Sequence, residues 1–152
     1  MKLTEVIRPD AVSLELPGTN KEEVLAQLVD LLARNGKIHE PEKILESLIE
    51  REGLGSTGIG HGVAIPHGRC AELSSPVVAL GRTSHDIEYD SIDGKPARIF
   101  FLLIAPENGS SEHLHLLARI ARLMKDSATR EQLLNASTPE QILEWIGERE
   151  GG

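Results

Sequence analysis

A chain of 152 residues that is 39% hydrophobic and 26% charged has the size and apolar content of one ordinary globular domain with a core of its own. Its 16 Lys and Arg against 24 Asp and Glu leave a net charge of −8, which speaks against nucleic acid or acidic lipid as a partner of the whole surface. Aromatic residues make up only 3%, too few for the stacking platforms of single-strand binders.

The opening Met-Lys-Leu-Thr-Glu-Val-Ile has no apolar run long enough for a signal peptide, and no later segment has the length of a membrane span. Cys70, the one cysteine, has no internal disulfide partner, which suits a reducing compartment; a cytoplasmic protein without membrane insertion is expected. Val12 to Leu16 alternates apolar and polar residues before Pro17-Gly18 and predicts a short strand and turn. Thr19 or Asn20 can cap a helix to about Asn35, with Val24, Leu25, Leu28, Val29, Leu31 and Leu32 at helical spacing and Gly36 as its stop. Pro41 opens a second helix that ends near Gly53 and carries Arg51 in its last turn.

The stretch from Gly55 to Arg69 reads as a glycine-rich loop holding five glycines, Ser56, Thr57, His61 and His67. Pro66 stiffens the backbone one residue before His67, and Gly68 beyond it offers no Cβ to crowd the imidazole. Pro76–Gly81 and Arg98–Ala105 read as strands, the second apolar on both alternating faces as a central strand covered on each side would be. Asp93-Gly94-Lys95-Pro96 is a turn and Pro106 to Ser110 a loop, after which Ser110 or Ser111 can cap a helix carrying His113 and His115. Helices over 128–135 and from Pro139 follow, with 147–152 as a frayed tail. Strands alternating with helices predict a single α/β domain over 1–152, a central mixed sheet flanked by helices on both faces.

A histidine is a nucleophile when its ring is neutral, open on one nitrogen and oriented through the other. Attack on phosphorus would give a phosphoramidate whose oxygens need donors or cations. Ser56, Thr57, the loop amides and Arg51 or Arg69 lie near in sequence. His115, two positions beyond His113, falls on another helix face. A His113-x-His115 pair on a helix would chelate zinc poorly.

The segment from Arg51 to Arg69 resembles the active-site signature of the type-2 (fructose/mannitol) IIA domains of the bacterial sugar phosphotransferase system. Glu52 takes the signature's acidic or amide position, followed at its distance by Ile59-Gly60 and then Val63-Ala64-Ile65-Pro66-His67-Gly68. Arg51, sixteen residues before His67, and His113 in His113-Leu114-His115-Leu116-Leu117-Ala118 also match the family pattern. The resemblance implies a phosphocarrier, and so a phosphotransferase component. His67 would accept a phosphoryl group from a small histidine phosphocarrier protein (HPr/NPr-like), Arg51 would bind its oxygens, His113 would donate to them or orient His67, and Ser56 and Thr57 would line the pocket. No metal or organic cofactor is implied.

The Gly-Arg pair after His67 is similar to the stand-alone nitrogen-regulatory branch, whose phosphorylation state selects regulatory target proteins. A free IIA subunit of a fructose or mannitol permease, passing phosphate to a IIB domain, is the alternative. A non-phosphorylated interaction module would be marked by loss of His67 or Arg51, and both are present. A metal-dependent hydrolase on His61, His67 and His113 would lack a suitably spaced carboxylate.

Overall fold

The computed structural model describes residues 2–108 and 110–151. Its centre is a mixed sheet in which the long strands β5 (Val77–Ile87) and β6 (Ala97–Pro106) pair antiparallel. β1 (Val12–Ser13) lies parallel to β5 at one edge. On the other side of β6 run β3 (Val63–Ala64) and β4 (His67–Cys70), both parallel to it, and β2 (Gly58–Gly60) closes that edge antiparallel to β3.

The apolar run of β6 does what its pattern predicts. Phe100, Leu102 and Ile104 enter one core with Leu28, Leu32 and Leu48 of α2 (Lys21–Arg34) and α3 (Pro41–Leu54). Ile99, Phe101 and Leu103 enter a second core on the opposite face. That core is covered by α1 (Leu3–Val6), α4 (Ser110–Leu123), α5 (Ser127–Asn135) and α6 (Pro139–Gly151). Each of these six strand residues is at most 2% exposed, and burying each contributes roughly 1.5–3 kcal/mol relative to exposure. Helices therefore cover both faces of the sheet, as expected.

Several boundaries differ from expectation. The first strand stops at Ser13 instead of Leu16, although the Leu16 amide still donates to the Arg82 carbonyl at 2.8 Å. β5 continues past Gly81 to Ile87 through an irregularity between Arg82 and Ile87. The short α1 and a 3-10 turn at Pro9–Ala11 have no amphipathic run to announce them. The supposed frayed tail is helical to Gly151 because it is tied down: the Glu150 side chain is 5% exposed and accepts from the Leu3 amide at 2.7 Å and the Thr4 amide at 3.2 Å. Gly152 lies outside the described residues, as does the residue before α4, on which the capping expected of Ser110 or Ser111 turns.

The glycine-rich segment is the main correction. It is not a free loop but contains β2, β3 and β4. Val63, Ala64, His67 and Gly68 face Ile99, Phe100, Leu103 and Ile104 in one unbroken register, so β3 and β4 are a single path along β6 interrupted at Ile65-Pro66. Proline has no N–H to give a ladder, but its carbonyl still accepts from Leu103 at 3.0 Å. The β2–β3 turn is built from three consecutive residues with positive φ, Gly60 (93°), His61 (59°) and Gly62 (80°).

Candidate functional site

His67 opens β4, and the period-two alternation along the β3–β4 path puts it on the same face as Val63 and Ile65, the face covered by α4. Gly68 faces the other way. A Cβ there would point at Leu48 (3.4 Å) and Ile104 (3.9 Å), in ordinary van der Waals contact on the side of α3, and so away from the imidazole it was expected to leave uncrowded.

The His67 ring is half-buried, and its Nδ1 lies 2.7 Å from the Ile65 carbonyl oxygen. A carbonyl can only accept, so Nδ1 carries a proton, and in the neutral ring Nε2 is the nitrogen that keeps its lone pair. This bond fixes both tautomer and ring orientation.

α4 brings His113 to the same place from its first turn. The two ring centroids are 5.4 Å apart with planes at 63°. His113 is 6% exposed and its Nδ1 has no hydrogen-bond partner among the described residues. Burial, reinforced by the nearby His67 and Arg69, lowers its pKa below the ordinary histidine value. His115, one step around the helix, is exposed, as expected.

Arg51 approaches from the last turn of α3, its Nη1 donating to the Gly55 carbonyl at 2.9 Å. It lines, with Ser56, Thr57 and His67, the polar side of a cleft of about 300 Å³ whose apolar side is Ile59, Ile65 and Leu117. His67, Arg51, Ser56 and Thr57 are therefore brought together, with His113 against the His67 ring.

The two hydroxyls are already engaged. Ser56 Oγ donates to the Tyr89 carbonyl at 2.6 Å and accepts from the Gly58 amide at 3.0 Å. Thr57 Oγ1 donates to the Glu52 carboxylate. Both hydroxyls shape the cleft by holding its wall. Arg69 is exposed, and its Nη1 reaches the Pro106 and Glu107 carbonyls at 3.4 and 3.3 Å, bracing the corner between β6 and α4.

His61 stands exposed at the tip of the β2–β3 turn, where its amide donates to Asp93 at 3.1 Å. Among the described residues no three His, Cys, Asp or Glu side chains are gathered as a metal site. Cys70 is half-buried, and burial pushes its thiol pKa up, which does not favour a reactive thiolate. No described helix is long and apolar enough to cross a membrane.

Beside the cleft lies a cluster that the sequence reading did not find. The Glu52 side chain is 5% exposed and accepts from Lys21 Nζ at 3.2 Å, the Thr57 amide at 3.1 Å and the Tyr89 hydroxyl at 3.2 Å. Lys21 Nζ also sits 4.4 Å from the Tyr89 ring centroid. Burial and the adjacent Glu52 push the Tyr89 phenol pKa upward, so it remains a donor. One local signal pointed here. Lys21 occupies the first turn of α2, where the helix dipole disfavours a cation, so a tertiary anion was to be expected. Tyr89 gives no such sign.

Residues 5–148 match the family model of the phosphoenolpyruvate-dependent sugar phosphotransferase system, EIIA 2. The chain is 34% identical to a nitrogen regulatory protein of Pseudomonas aeruginosa, over all of this chain and 99% of that one. It is also 34% identical, over 99% of its length, to the fructose-specific EIIABC component of Bacillus subtilis, of which it spans only 24%. The crystal structure of the nitrogen regulatory protein IIA-Ntr from Neisseria meningitidis superposes with a TM-score of 0.88 at 33% identity, covering 95% of this chain and 98% of that one. A family match over nearly the full length, together with this fold, makes the chain a member of the type-2 EIIA family of the phosphotransferase system.

Proposed function

We propose that this chain is a phosphocarrier that takes a phosphoryl group on His67 Nε2 from the phosphohistidine of a small histidine phosphocarrier protein, and that it works as a nitrogen-regulatory signalling protein. The observation that carries the reading is the His67 Nδ1–H···O=C bond to Ile65, which leaves an oriented, unprotonated Nε2 beside Arg51 and His113. In the transfer the Nε2 lone pair forms a new N–P bond while the donor's P–N bond breaks. The donor imidazole leaves with the electron pair. Positioning and charge do the rest: the Arg51 guanidinium neutralises the equatorial oxygens, and neutral His113 donates a hydrogen bond to them. Ser56 and Thr57 support the pocket wall, with the loop amides near the phosphoryl group.

A phosphoryl group adds about −1.5 to −2 charge at the cleft, and on a chain already at −8 this repels acidic partner surfaces and attracts basic ones. The phosphorylated and unphosphorylated forms would therefore select different regulatory targets. The regulatory reading is favoured by the end-to-end match to the stand-alone P. aeruginosa protein. A IIA subunit that serves a sugar permease and hands phosphate to a IIB domain is the second reading, favoured by equal identity to the B. subtilis component.

Incubation with phosphoenolpyruvate, the general phosphotransferase enzyme and its carrier, followed by intact mass, tests the proposal. One acid-labile phosphate on the wild type is expected, and an unchanged mass rejects the proposal. Faster loading from the nitrogen-branch carrier than from the sugar-branch carrier is expected of the regulator. The opposite preference selects the permease reading.

A further inference from the structure

We infer that the Lys21–Glu52–Tyr89 cluster, built round the buried Glu52 carboxylate, is the positioning device of the phosphoryl site, holding Arg51 and His67 in register with each other; the inference rests on the function proposed above. The two reacting groups come from different elements, Arg51 from the end of α3 and His67 from β4. The backbone between them passes through the β2–β3 turn, which has three positive-φ residues in a row. Such a segment does not set a distance between its ends by local stiffness. Something must clamp it.

The hydrogen bonds trace the clamp. Glu52, next to Arg51 in the last turn of α3, turns inward and binds the Thr57 amide at 3.1 Å and the Thr57 hydroxyl. The Thr57 carbonyl in turn accepts from the Ile65 amide at 3.0 Å, and the Ile65 carbonyl accepts the His67 Nδ1–H at 2.7 Å. One continuous path therefore joins the helix that carries Arg51 to the ring that carries Nε2. Arg51 itself is held on the same loop through the Gly55 carbonyl.

The path begins at a carboxylate only 5% exposed, which cannot be held there without a counter-charge and donors. Lys21 supplies the charge from α2 at 3.2 Å, and the Tyr89 hydroxyl supplies a second donor at 3.2 Å. The Tyr89 carbonyl also fixes Ser56, so both loop residues before β2 answer to this cluster. The cluster's cation and phenol lie behind the wall and take no part in lining the cleft. Lys21, Glu52 and Tyr89 are positioning residues that act through Arg51 and His67, and the geometry gives them no contact with the phosphoryl group.

The test is the rate of phosphoryl transfer to His67, measured by intact mass over a range of donor concentrations, alongside thermal unfolding. Lys21→Met is expected to lower the maximal rate about tenfold to a hundredfold. The half-saturating donor concentration stays unchanged, because the cluster lies beneath the loop. Lys21→Arg restores most of the rate. Lys21→Met combined with Arg51→Ala loses less than the product of the two single effects, because the two changes damage the same constellation. Tyr89→Phe, which keeps the ring under Lys21 and removes one donor, lowers the rate about threefold. A folded Lys21→Met that transfers at the wild-type rate, or single effects that multiply in full, overturns the inference. If Lys21→Met does not fold, a wild-type rate in Tyr89→Phe overturns it. A wild type that takes no phosphate rejects the functional reading itself, whereas an active wild type with an equally active Lys21→Met rejects only the clamp.

Discussion

The two walls of the cleft are prepared in different ways. On the loop wall nearly every polar group near His67 already has a partner: Arg51 on Gly55, Ser56 on Tyr89, Thr57 on Glu52 and His67 Nδ1 on Ile65. Behind the helix wall, which Leu117 and Ala121 line, His113 is buried with its Nδ1 unpartnered among the described residues and its pKa lowered. An orphaned buried polar atom costs free energy on the order of 1–3 kcal/mol. One wall is set by hydrogen bonds within the protein, while behind the other a buried imidazole nitrogen is left without one. Preorganisation of this kind belongs where charge must be stabilised without rearrangement.

The contrast can be broken most severely at the nucleophile. His67→Ala is expected to abolish acid-labile phosphate altogether, as read by intact mass; residual incorporation would mean that another residue is the acceptor. Arg51→Ala follows, with transfer slower by about 10²–10³-fold, the usual loss for one preorganised charge-stabilising donor. Its circular dichroism spectrum stays unchanged, because the Arg51 side chain is bonded, among the described residues, to no more than a carbonyl of its own helix end. A transfer rate near that of the wild type would remove Arg51 from the site.

His113→Gln should cost less, about tenfold, because the amide can still donate to a phosphoryl oxygen. It also carries the pH signature of the helix wall. Because folding lowers the His113 pKa below its ordinary 6.5, the unfolded chain takes up this proton at higher pH than the folded one. Its contribution to stability is therefore intact above the ordinary value and is lost as pH falls from there through the folded value. Thermal midpoints measured between about pH 7.5 and 5 should fall more steeply for the wild type than for His113→Gln. Parallel curves would deny that burial of neutral His113 matters.

The smallest effect belongs to the loop wall. Ser56→Ala removes a hydroxyl already committed to the Tyr89 carbonyl and the Gly58 amide. Stability should drop by about 1 kcal/mol while transfer stays within about twofold of the wild type. A large loss of transfer at unchanged stability would instead make Ser56 a direct phosphoryl ligand.

Much of this was legible in the residues. The alternation along 99–104 announced a strand buried on both faces, and it lies at the centre of the sheet with a core on each side. Asn20, Pro41 and the leucine spacing marked α2 and α3 to within a residue. Family wording identified His67, Arg51, Glu52 and His113, and the cleft gathers the first two with His113 against the ring. The strands inside the glycine-rich segment were not legible, because β2 and β3 are held by pairing with distant partners and have too few residues for a periodic signal.

What local chemistry dictated was therefore the apolar periodicity, the helix ends and the residue types a phosphoryl group would need, since each depends on neighbours within a turn or two. Only the tertiary structure decided which His67 nitrogen is held by a carbonyl, that Gly68 faces away from the imidazole, that Glu150 ties down the last helix, and that Lys21 and Tyr89 stand behind Glu52. Each of these depends on a partner distant along the chain or on the way a strand turns its side chains, and no local pattern encodes which distant groups folding will bring within hydrogen-bonding reach.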